Sequence, residues 1–94
     1  METAHLAGKT WDDVQGKVRK YAKDHDLDVN PEHYLPLEDA RVTGLYLFRK
    51  GALASMVRFS PFFHSDGTTF KDVRADYDKG HGAEDILRHL GVEL

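Results

Sequence analysis

Thr43-Gly44-Leu45-Tyr46-Leu47-Phe48 leads into Arg49-Lys50-Gly51, and Ala52-Leu53-Ala54-Ser55-Met56-Val57-Arg58-Phe59 leads away. Two runs of aliphatic and aromatic residues meeting at a glycine read as a β-hairpin. How the hairpin closes decides which side chains face inward. A two-residue Lys50-Gly51 turn needs a positive φ at Lys50, which lysine resists. A type I turn over residues 48–51, with Gly51 as a left-handed bulge residue, shifts the pairing by one. Phe48 then opposes Ala52, and Tyr46 opposes Ala54. A one-residue slip inverts a strand, so the preferred register is the one that best segregates apolar side chains. The bulged closure does so. It puts Leu45, Leu47, Leu53, Val57 and Phe59 on a core face, and Tyr46, Phe48, Ala52, Ala54, Met56 and Arg58 on the other.

That second face is the clearest pointer to function. Antiparallel ribbons normally keep one face solvated and polar, and this one carries aromatic, methionine and alanine side chains. Three covers are open: the chain's own segment 26–41, a protein partner, or stacked bases of RNA. The candidate contact set is Tyr46, Phe48, Met56, Arg58 and Arg74.

Working outward, Met1–Lys9 shows no periodicity and is expected to be a mobile tail, leaving 10–94 as one domain. Thr10 reads as a helix N-cap. Trp11, Val14, Val18, Tyr21, Ala22 and His25 recur at helical spacing behind it. Gly16 sits inside this helix and is a candidate for a close helix–sheet contact. Residues 26–41 are irregular. Asn30-Pro31-Glu32 could open a short helical turn, and Pro36 would end it. Ser65-Asp66-Gly67-Thr68 reads as a turn. Thr69 to Tyr77 reads as a third strand, with Val73, Ala75 and Tyr77 on one side and Asp72, Arg74 and Asp76 on the other. A last helix runs from about Ala83 to Leu90, with Gly91 and Val92 forming a Schellman-type ending. The expected architecture is a two-layer α+β domain of order αβββα: an antiparallel three-stranded sheet with both helices on one face.

Composition narrows the classes. The 94 residues are 40% hydrophobic and 31% charged, ordinary for a folded domain with one modest core. There is no cysteine, which removes disulfides, thiolate catalysis and cysteine-based metal sites and fits a reducing compartment. No apolar run is long enough to span a membrane, and the first residues lack a signal peptide's apolar stretch. The expected location is the cytoplasm. The net charge of −3 is uneven. Residues 1–40 hold five Lys/Arg against nine Asp/Glu, while residues 41–94 hold eight against seven. Nucleic-acid binders usually show a basic stripe that neutralises phosphates, and mixed signs disfavour that reading here.

Three constellations could carry chemistry. Asp24, Asp26, Asp28 and Asn30 alternate like the start of a calcium loop, but Val29 stands where the loop requires glycine and Leu35 where it requires glutamate. His81, Asp85 and His89 share a helical spacing that could hold a divalent metal; a solvated helix face explains them better. His64, beside Ser65 and Asp66, is the one candidate general base, for phosphodiester cleavage. Residues adjacent in a turn do not form a triad, and no nucleophile elbow surrounds any serine. No phosphate-binding glycine motif occurs, and no cofactor is expected.

The expected element order is shared with double-stranded-RNA-binding domains and with HicA-like toxin ribonucleases. The former's lysine cluster is replaced by Lys79-Gly80-His81-Gly82-Ala83-Glu84-Asp85, and the latter's glycine-serine/threonine-histidine strand motif is absent. The residues therefore favour a small non-catalytic interaction or regulatory module, self-associating or complex-forming through the outer face of its hairpin. An RNA-binding protein or small ribonuclease using that same face is the alternative.

Overall fold

A computed structural model describes residues 1–33, 42–63 and 69–94, with backbone alone for 63 and 69–71. The chain runs β1 (Glu2–Ala7), α1 (Trp11–Asp24), β2 (Leu27–His33), β3 (Val42–Arg49), β4 (Val57–Phe63), β5 (Thr69–Tyr77) and α2 (Ala83–His89). The fold is α+β with an antiparallel sheet, but the sheet has five strands in the order β1-β5-β4-β3-β2. The three-strand αβββα layout is therefore corrected to βαββββα.

The two added strands come from segments whose alternation is short. Residues 1–9 are not a free tail. Ala4 and Leu6 turn into the core while Thr3, His5 and Ala7 turn out, and the strand pairs with β5 from Glu2↔Tyr77 to Ala7↔Asp72. Gly8 ends it with φ 75°. Leu27 and Val29 likewise pack on the core, while Asp28 and Asn30 face away. The expected helical turn at Asn30-Pro31-Glu32 is instead part of β2, an edge strand, where a proline without an N–H is tolerated. Residues 27–33 thus extend the sheet beside β3, and 34–41 lie outside the described residues.

Both helices form as their end signals require. Thr10 Oγ1 accepts from Asp13 N at 3.2 Å, and Trp11, Val14, Val18 and Ala22 are buried. Trp11 Nε1 donates to Val42 O at 2.9 Å. This pins the start of α1 over β3 before the helix hands the chain to β2. At the end of α2, Val92 N donates to Leu87 O and Gly91 N to Arg88 O, both at 3.0 Å, with Gly91 at φ 91°. That is the Schellman pattern. Gly16 makes no close contact: a Cβ placed there meets nothing within 4 Å.

One core lies between the sheet and the helices. Leu45, Leu47, Val57, Phe59, Val73 and Ala75 meet Val14, Val18, Ile86 and Leu87, all essentially inaccessible to solvent. The hairpin register is Leu45↔Phe59, Tyr46↔Arg58 and Leu47↔Val57. The expected facing of these six residues holds, but the connection is longer. Arg49 O accepts from Ala52 N at 3.0 Å with Gly51 at φ 77°, the sign a type II turn needs at its third residue. β4 begins only at Val57. Leu53 is consequently fully exposed at the tip rather than in the core, and Ala52 and Ala54 are loop residues, not strand residues.

Candidate functional site

Neither helix covers the far side of the sheet, where the register aligns one side chain from every strand. Asn30, Tyr46, Arg58, Asp76 and Thr3 form one row, while Ser60, Arg74 and His5 form part of the next. Phe48 and Phe62 lie beyond these rows in β3 and β4. Strand alternation alone places these residues here, because their chain neighbours are the aliphatics of the core.

Tyr46 and Phe48 are half-buried, with ring centroids 6.4 Å apart and tilted. The Arg58 guanidinium sits 5.6 Å from the Tyr46 centroid, within range of a cation–π contact. It also donates to Glu32 Oε2 from Nε at 3.1 Å and from an Nη at 3.0 Å. Partial burial pulls the Arg58 pKa down, but the bond and charge of Glu32, with Tyr46 beside it, raise it overall. The pair passes close over Gly44. A Cβ there would stand 3.1 Å from Glu32 Oε2 and 3.4 Å from Arg58 Nη2.

Arg74 turns along its own strand, with Nε 3.0 Å from Asp76 Oδ2. The other Asp76 oxygen accepts from Thr3 Oγ1 at 2.8 Å, and Asp72 accepts from Gly8 N at 2.9 Å. His5 stacks on Phe62 at 5.5 Å. Among the described residues, the strand side chains facing this side include two arginines, Arg58 and Arg74, against four carboxylates, Asp28, Glu32, Asp72 and Asp76. Their balance is −2, and both cations are already paired.

Of the expected contact set, the structure brings Tyr46, Phe48, Arg58 and Arg74 to one face. Met56 is the correction. It is 8% exposed and belongs to the core, since the longer turn leaves it ahead of β4, where its N–H donates to Leu47 O at 2.7 Å. His5, Glu32, Gly44 and Phe62 are members of the face that sequence reasoning passed over. The alternation Thr3-Ala4-His5-Leu6 was the available signal for β1.

The other constellations do not assemble. Asp24 is held by Lys20 and Asp26 by Lys50, each at 2.7 Å, while Asp28 and Asn30 lie in β2. Lys20 holds the Asp24 carboxyl below the usual carboxylate range, and Asp26 raises the Lys50 ammonium. His81 precedes α2, and its carbonyl accepts from Arg49 at 3.1 Å. Asp85 pairs with Arg88 at 3.6 Å, and the His89 ring lies 5.2 Å from that of Tyr21. Burial first, and then Asp85, push the Tyr21 hydroxyl pKa up. Among the described residues no three potential ligands converge on a metal position. His64 lies outside the described residues.

No helix among the described residues is long and apolar enough to cross a membrane. No family model, curated protein or solved structure matches the chain, so its functional reading rests on the geometry of this face.

Proposed function

We propose that the protein is a non-catalytic interaction module that binds a protein partner through the face of its sheet that neither helix covers, here the open face. The observation behind this reading is the row of half-buried aromatics, Tyr46 and Phe48, on the face that both helices leave uncovered. Aromatic side chains flanked by paired charges are the composition of a contact centre with a polar rim. The face has a balance of −2 on its described strand residues, so two identical faces would repel one another. A partner with apolar side chains among basic ones is the better complement. The cysteine-free composition fits an encounter in the cytoplasm.

Binding of RNA by the same face has less support. Arg58 and Arg74 are engaged by Glu32 and Asp76, and the surrounding carboxylates oppose a phosphate backbone.

The test is affinity capture with the wild type and a Phe48→Glu variant, followed by identification of what each retains. Phe48→Glu changes a surface position, so thermal unfolding is expected to confirm that the variant folds. A protein retained by the wild type and lost by the variant supports the reading. Identical retention by both, or none by either, overturns it.

A further inference from the structure

The two edges of the sheet are built differently. β2, at one edge, contains Pro31, a register break between Glu32 and His33, and the polar series Asp28, Asn30 and Glu32. Proline, bulges and charges are the devices that keep an edge from pairing with another chain. β1, at the other edge, has neither proline nor bulge, and its one carboxylate, Glu2, stands at its first residue. It pairs with β5 in unbroken register over six residues, contains no proline, lysine or arginine, and among the described residues no strand lies on its outer side.

We propose that β1 pairs antiparallel with β1 of a second copy of this chain, joining two five-stranded sheets into one of ten strands. The strand itself selects the register. Gly8 leaves it at φ 75°, so pairing is confined to residues 2–7. Side chains opposite one another must share a face, which centres the pairing on a single residue. Centring on Ala4 sets the Glu2 carboxylate against Leu6 on the core side. Centring on Leu6 leaves only three residues paired. Centring on His5 pairs residues 3 to 7 with residues 7 to 3. Ala4 then meets the second copy's Leu6 on the core side, Thr3 meets its Ala7 on the open side, and His5 meets its counterpart.

The two-fold axis then stands perpendicular to the sheet. Both helix layers lie on one side and both open faces on the other, so the dimer presents two copies of the partner-binding surface in one plane. Ala4 and Leu6 are already 8% and 3% exposed, so little new apolar area is buried. The main gain is main-chain hydrogen bonding along the edge. The dimer therefore belongs to the small, concentration-dependent class of interfaces.

A chain without cysteine allows a direct test. Single variants Thr3→Cys, His5→Cys and Ala7→Cys, all at exposed open-face positions, are oxidised mildly at high protein concentration. In the proposed register the two position-5 residues face each other. The two position-3 residues, like the two at position 7, stand about 13 Å apart at the strand rise, beyond disulfide reach. His5→Cys is expected to cross-link roughly ten-fold faster than either other variant alone. Mixing Thr3→Cys with Ala7→Cys is expected to restore the rate. Light scattering provides the second readout. Mass rising toward twice the chain mass with concentration is expected for the wild type. It is expected to be lost in His5→Asp, whose new carboxylate faces Arg74 within the subunit but its own copy across the seam. Equal cross-linking at all three positions, or a monomeric wild type at every concentration, overturns the proposal. Phe48→Glu combined with His5→Cys is expected to leave the cross-link intact, which separates this dimer from binding at the open face.

Discussion

At the scale of single residues, the open face depends on a side chain that is missing. Arg58 reaches Glu32 across Gly44, and a Cβ at Gly44 would press on the Glu32 carboxylate at 3.1 Å and touch Arg58 at 3.4 Å. Both side chains are partly exposed, which limits the pair to about 0.5–1 kcal/mol. A double-mutant cycle of Arg58→Ala and Glu32→Ala by urea unfolding is expected to return that coupling in the wild type. In a Gly44→Val background the coupling is expected to fall to near zero, because the branched side chain occupies the gap. Full coupling in that background would show that the pair does not need the glycine. The strand position of Gly44 was legible in the sequence. Its purpose was not, because Glu32 comes from a strand whose place beside β3 no local pattern announced.

At the scale of elements, the helices were readable because their signals are local. Thr10, the stripe from Trp11 to Ala22, and Gly91 each act within a few residues of themselves, so the physics that forms them is visible in the sequence. Two glycines of these helices make opposite predictions. Gly16 is exposed, has helical φ and meets nothing with an added Cβ, so Gly16→Ala is expected to stabilise the protein by about 0.5–1 kcal/mol. Gly91→Ala forces a left-handed φ on alanine and is expected to destabilise it by about 1 kcal/mol. Urea midpoints measured side by side check both signs. The start of α2 uses a less familiar device. Its N-cap, Gly82, offers no side chain, and Glu84 Oε1 instead accepts from Gly80 N at 3.0 Å. Bonds from its own backbone N–H and from that of Gly80 hold the Glu84 carboxyl below its ordinary value near 4.5. A carboxyl depressed on folding contributes stability above its unfolded pKa, and loses it as pH falls through the folded one. The stability difference between wild type and Glu84→Gln is therefore expected to be largest near neutral pH and to close as the pH falls through the lowered pKa of the folded carboxyl. A difference independent of pH would assign the effect to something other than ionisation.

At the scale of the whole molecule, what escaped the sequence was which short segments are sheet. β3, β4 and β5 carry long apolar alternations and bury both flanks, so their facing could be read even with the wrong turn length. β1 and β2 are edges with two inward side chains apiece, Ala4 and Leu6, Leu27 and Val29. Two alternations fall within the noise of a polar segment until a neighbouring strand gives them a surface to bury against. The site inherited the same limit, since Tyr46, Phe48, Arg58 and Arg74 were found while Glu32 and His5, which come from the edges, were not. The hairpin tip shows the converse error. Segregating apolar residues over too short a turn drew Leu53 into the core and put Met56 on the surface, and the longer connection exchanges them. Two leucines therefore trade the roles that hydrophobic pattern alone assigns. Leu6, from the supposed tail, is 3% exposed and packed in the core, whereas Leu53, from the middle of the strongest apolar run, is wholly in solvent. Leu6→Ala removes buried atoms and leaves a cavity between β1 and the helices, a change that costs about 2–3 kcal/mol at such sites. Leu53→Ser removes nothing from the core and is expected to shift stability by less than about 0.5 kcal/mol. Denaturant unfolding of the two variants under one set of conditions decides the matter. A neutral Leu6→Ala would return residues 2–7 to a loose tail, and a costly Leu53→Ser would restore the short turn and its register.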